Sequence, residues 1–129
     1  MKTRIRILSL FLALMTVCTF AWAESAEEAL FESEWKQMKE ISKNGKEKSM
    51  INGSIYAVYR FEEGLCTSTA YQGDRPMIEV YSECIVDGSR ITMTRQKVSR
   101  SGNYTIEGDT LTIAWDDGAF LIFERMPDE

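Results

Sequence analysis

The sequence predicts a mainly β domain, an up-and-down antiparallel meander with a short helix before it. Three observations carry this reading. From Ile55 onward, apolar and polar residues alternate in short runs, the period of a strand with one buried face. Each run ends in a cluster of Gly, Asp or Asn, residues that accept tight-turn backbone conformations. The only prolines are Pro76 and Pro127, and neither falls inside a candidate strand.

The chain begins with a segment of a different kind. Lys2, Arg4 and Arg6 precede an apolar run from Ile7 to Phe20, followed by Ala21-Trp22-Ala23. This is the layout of a secretory signal peptide, expected over residues 1–23. The apolar run is shorter than the roughly 20 residues a membrane span needs. Val17 before Cys18 argues against a lipid-modified cysteine. A single domain over residues 24–129 is expected after cleavage, in the periplasm or outside the cell.

Ser25 to Gly45 supports two readings. Phe31, Trp35, Met38 and Ile41 fall at helical spacing, Ser25 and Glu28 could form a capping box, and Asn44-Gly45 could end the helix. Asn44-Gly45 is equally a hairpin signal. On that second reading Glu34 to Ile41 is a strand, preceded by one or two helical turns.

Seven further strands follow. "IYAVYRFEEG" alternates Ile55, Ala57, Tyr59 and Phe61, and "LCTSTAY" is small, β-branched and aromatic. "MIEVYSECIVDG" sets Ile78, Val80, Cys84 and Val86 against Glu79 and Glu83. "RITMTRQ" sets Ile91 and Met93 against Thr92 and Thr94. "NYTIEGD", "TLTIAWDDG" and "AFLIFER" complete the series. Strands adjacent in sequence pair most readily, which makes the meander the simplest topology.

"EWKQMKEISKNGK" and the terminal "FER", with "RFEEG" and "NYTIEGDTLTIAWDDG" between them, resemble small exported bacterial lipocalin-like proteins of the calycin group. The resemblance spans Leu30 to Met126. It departs from the family at Ser33, where a glycine is usual. It implies an eight-stranded up-and-down antiparallel lipocalin-like barrel. It also implies that Trp35 packs at the closed end with Arg125, from the last strand, lying across it. Closing a sheet removes its exposed edges, and a planar guanidinium can stack on an indole while donating to backbone carbonyls. Both residues are therefore expected to be structural.

Composition limits the chemistry. Removing the signal's three basic residues from 15 leaves 12 against 20 acidic ones, a net charge of −8. Nucleic acid and anionic membrane are poor partners for such a domain. The sequence has no histidine, so histidine triads and histidine metal sites are excluded. Asp116-Asp117 and Glu62-Glu63 lack the spacing of a calcium loop and are expected to be turns. No catalytic group, cofactor site or metal site is expected, and an enzyme is not. In an exported domain with two cysteines, a Cys66–Cys84 disulfide across one hairpin is expected.

What remains is a lining. An eight-stranded barrel is either packed by its own side chains or holds one small ligand. The expected function is binding of a small, mostly apolar molecule, with Tyr59, Phe61, Trp115 and Phe120 as candidate contacts. The alternative is a protein-interaction module acting on an envelope protein, as an inhibitor or accessory factor. An aromatic-lined cavity favours the first, and a filled interior with a large exposed apolar patch favours the second.

Overall fold

Helix α1, residues 26–32, leads directly into the first strand of a sheet that closes on itself. The structure is a computed structural model describing residues 26–127. The expected signal peptide, residues 1–23, lies outside the described residues.

The strands are β1 (Glu34–Ile41), β2 (Glu47–Ser49), β3 (Ile55–Glu62), β4 (Gly64–Gln72), β5 (Arg75–Asp87), β6 (Arg90–Arg95), β7 (Val98–Glu107), β8 (Thr110–Trp115) and β9 (Phe120–Arg125). All pairings are antiparallel and follow chain order from β3 to β9. β9 then pairs with β1, which pairs with β3. Setting aside the short β2, eight of the nine strands form the closed barrel.

The contested first segment resolves as the strand reading. α1 ends before Ser33, and "EWKQMKEI" is β1 despite its helix formers. Its register explains the outcome. Trp35 pairs with Tyr59 on one side and Arg125 on the other, so tertiary pairing outweighs local propensity. Ser42 to Lys46 turns the chain back, with the Gly45 amide donating to the Ser42 carbonyl at 2.8 Å. β2 returns along the far half of β1. This three-residue strand is all exposed and has no counterpart in the sequence expectation.

Facing residues of an antiparallel pair share one side of the sheet, so the registers fix the lining. Trp35, Tyr59, Ser68 and Val80 lie on one inward row. Met93 and Arg100 form an inward pair across β6 and β7, and Gly102 faces Trp115 across β7 and β8. Of the aromatic residues, Tyr59, Phe61, Tyr104, Trp115 and Phe123 point inward. Tyr56, Tyr71, Tyr81 and Phe120 point outward.

The core occupies the closed end. Trp35, Phe61, Phe123, Leu30, Leu111 and Ile113 are fully buried there. Phe123 meets Tyr59 and Phe61 edge-on, at 4.9 and 6.3 Å between ring centres. Leu30 brings α1 against the barrel floor, where its carbonyl accepts the Trp35 indole N–H at 3.2 Å.

Cys66 and Cys84 are buried free thiols, which corrects the expected disulfide. The hairpin turns tightly at Gly73-Asp74 and carries a bulge at Ala70/Tyr71. This sets Cys66 opposite Ser82 and Cys84 opposite Gly64. The thiols share the inner face but sit diagonally. β5 also starts earlier than expected, at Arg75. Pro76 lies beside the bulge, where a missing N–H costs the ladder least.

Candidate functional site

Closure at the Trp35 end leaves the other end as the entrance. It is framed by the β1–β3 connection, by the turns at residues 73–74 and 96–97, and by residues 116–119. Inward-facing Ile55, Ile78 and Val98 stand at this rim, 39%, 61% and 71% exposed. Apolar side chains facing inward and left uncovered are what a binding mouth presents.

From the rim inward runs a solvent-open cavity of about 260 Å³, lined by Tyr59, Ser82, Met93, Arg95, Val98, Arg100, Trp115 and Leu121. At about 30 Å³ per water-sized group, it has room for about nine such groups.

Its residue types follow from strand alternation carried to the strand ends. On β6, the inward run Ile91, Met93 ends in Arg95. On β7, the inward run Tyr104, Gly102 continues to Arg100 and Val98. Two arginines thus stand on the inner face beside two apolar residues. The turn joining these strands is Gln96-Lys97, and both residues have positive φ, 53° and 68°. Side chains other than glycine rarely adopt this conformation in succession, and such strain concentrates at functional sites. The sequence expectation of a glycine or asparagine in every turn fails here alone among the barrel hairpins.

Trp115 is 6% exposed, and its buried indole N–H has no hydrogen-bond partner among the described residues. The Arg100 guanidinium lies 4.6 Å from the centre of the Trp115 ring. Its Nη2 also donates to the Asp117 carboxylate at 3.2 Å. Asp117 accepts the Ala119 amide at 3.0 Å. That amide first, then Arg100 and Lys43, hold its carboxyl below the usual range. Arg95 forms no ion pair among the described residues. Tyr59 is pushed up, chiefly by burial; Arg95 opposes this shift and Glu40 adds to it. Glu40 faces inward opposite Leu121.

Of the four expected contacts, Tyr59 and Trp115 line the cavity. Phe61 is fully buried in the floor, packed on Tyr59 and Phe123. Phe120 is corrected: it faces outward opposite Ala114 and Ile41, 40% exposed at the rim. Both alternations of β9 are apolar, and the inward one is Leu121 and Phe123. Sequence reasoning missed Met93, Arg95, Arg100 and Leu121, although alternation places the first three.

A larger groove, about 600 Å³, runs along the outer surface between β2 and β9 past Met38, Ile51 and Ile122. Among the described residues it has no buried polar atom without a partner. A second unpartnered atom, the Tyr104 hydroxyl, lies at the closed end. Glu79 and Glu83 point outward, and Glu79 accepts a hydrogen bond from Tyr81. Among the described residues no helix is long and apolar enough to cross a membrane. No family model, curated protein or solved structure matches the chain.

Proposed function

We propose that this is an exported, non-enzymatic, lipocalin-like binding protein that takes one small, mostly apolar molecule at the open end of its barrel. The observation that carries the reading is the division of the interior: a floor filled by Trp35, Phe61 and Phe123, and a cavity above it lined by Tyr59, Met93, Trp115 and Leu121. Uncovered Ile55, Ile78 and Val98 at the rim give an apolar ligand a continuous path inward. The signal-like N-terminal segment supports export.

Burial at about 25 cal/mol per Å² drives such a complex, against the cost of immobilising the ligand. The small cavity therefore suits micromolar affinity or weaker. Titration with an environment-sensitive fluorescent fatty acid is expected to give saturable binding, displaced by an unlabelled short-chain amphiphile. Absence of displaceable binding at tens of micromolar would remove this reading.

The outer face of β5 favours a second reading. Tyr81 and Ile85 project from it, 58% and 66% exposed, alternating with Glu79 and Glu83. This stripe suits an envelope protein partner, and the two surfaces can be tested separately.

A further inference from the structure

Charge is divided between the two ends of the barrel. Six cations, Lys43, Lys46, Lys48, Arg75, Arg95 and Lys97, are exposed on the turns and strand ends of the open end. None of them forms an ion pair among the described residues. Three exposed carboxylates at this end are already neutralised by other cations. Glu47 pairs with Lys39 at 3.4 Å, Asp116 with Arg90 at 2.8 Å and Asp117 with Arg100 at 3.2 Å. Asp74 and the half-buried Glu40, which faces Lys48, remain. The closed end has the opposite character: Glu28, Glu32, Glu62, Glu63, Glu107 and Asp109 are exposed there. Net charge averages over these unlike ends and describes neither.

Apolar exposure follows the same division. Seven large apolar side chains are exposed among the described residues, and five of them, Ile55, Met77, Ile78, Val98 and Phe120, stand at the open end. The other two, Tyr81 and Ile85, lie on the outer wall of β5. The five come from β3, β5, β7 and β9, so they form a ring around the opening, interleaved with the cations.

This mixture selects among anionic partners. A folded protein needs a contiguous, shape-matched patch, which a ring around an opening does not offer. A soluble polyanion would use the cations and leave the apolar side chains in water. A fluid anionic interface uses both, because cations reach the headgroups while apolar side chains enter the boundary below them. The strained Gln96-Lys97 turn fits this use: it sets an exposed lysine beside Val98 where glycine would be the easier residue.

We propose that the open end docks on an anionic phospholipid surface, with its uncompensated cations on the headgroups and Met77, Ile78, Val98 and Phe120 in the headgroup layer. The acidic closed end then faces away, and repulsion from the surface orients the approach. Docking uses the rim alone and does not depend on whether the cavity takes a ligand.

The chain from residue 24 is the form to test, because the apolar run before it would partition into lipid by itself. At low ionic strength, co-sedimentation with vesicles of phosphatidylcholine and phosphatidylglycerol should show binding at least about tenfold tighter than with phosphatidylcholine alone. Salt should weaken it. Lys46→Glu and Lys97→Glu should each weaken it by about threefold or more. Lys36→Glu, on the outer wall, changes net charge by the same amount and should leave binding intact. Ile78→Ser should weaken binding at low and high salt alike. Lys97→Gly should bind more weakly yet unfold at a higher temperature, which separates lost docking from a folding defect. Equal binding to both vesicles, binding to neither, or equal weakening by Lys36→Glu would overturn the proposal. Polyglutamate bound as tightly as the anionic vesicles, with Ile78→Ser without effect, would assign the rim to a soluble polyanion instead. Chains that lengthen with protein concentration in sedimentation velocity, without lipid, would assign it to the acidic closed end of a second copy.

Discussion

The Arg125 guanidinium lies 4.7 Å from the centre of the Trp35 ring, and the two residues are register partners across the β1–β9 seam. The same guanidinium donates to the Gly108 carbonyl at 3.1 Å, to Asp109 at 3.2 Å and to Ser33. One side chain therefore joins the start of β1, the β7–β8 turn and the end of β9. Ser33, the departure from the family pattern, supplies one of its acceptors.

Trp35→Ala is expected to cost about 3–5 kcal/mol, as loss of a fully buried aromatic does. Arg125→Ala should cost less, because its guanidinium reaches solvent. In a double-mutant cycle the two losses should fall short of additivity by about 0.5–2 kcal/mol, the scale of a cation–π contact. Urea unfolding of the four proteins measures this, and strict additivity would contradict the seam.

Cys66 and Cys84 should resist thiol reagents in the native protein at pH 8. Both should label once the chain is unfolded without reductant; absence of label would reveal a disulfide. Burial pushes the Cys66 thiol well above its ordinary range and the Cys84 thiol up to about 11. An unfolded cysteine titrates near about 8.5. The folded state thus holds its protons to higher pH, and the stability this contributes is complete below the unfolded value. It is lost as pH rises through the folded values. Denaturation midpoints should fall through this alkaline window, less steeply in Cys84→Ala.

Gly102→Ala should destabilise by about 2 kcal/mol or more, as overpacking does. A Cβ there would stand 2.4 Å from the Ala114 carbonyl oxygen and 2.9 Å from the Trp115 Cα. These are backbone atoms of the paired strand and cannot rotate aside. Thermal unfolding reads the loss directly.

Replacing Gln96-Lys97 by Asn-Gly should stabilise the fold by about 1–2 kcal/mol, because both positions require positive φ. The measurement is the shift in denaturation midpoint. An unchanged or lower midpoint would show that these two side chains make up the difference.

Most of the barrel was legible because its strands alternate. β3 to β9 follow from that pattern and from the turn residues between them, and Trp35 with Arg125 follows from the family resemblance. β1 was ambiguous because its helix formers are overruled only by partners distant in sequence. β2 was hidden because three exposed residues carry no periodicity. The cysteine register was missed because nothing in "TAYQGDRP" announces a bulge. Phe120 was misplaced because β9 is apolar on both faces. Arg95 and Arg100 were recoverable in principle: each extends an inward run by two residues, but charge at such a position reads as surface unless the barrel mouth is in view.

The two described indoles provide the most direct measurement. Trp35 donates its N–H to Leu30 beneath the floor, whereas Trp115 lines the cavity and its buried N–H has no partner among the described residues. Proton–nitrogen NMR spectra recorded during titration with octanoate should show the Trp115 indole resonance moving with saturation and the Trp35 resonance staying in place. A ligand site at the barrel mouth predicts that pair of results. Shifts confined to the outer face of β5, around Tyr81 and Ile85, with the Trp115 indole unmoved, would contradict it.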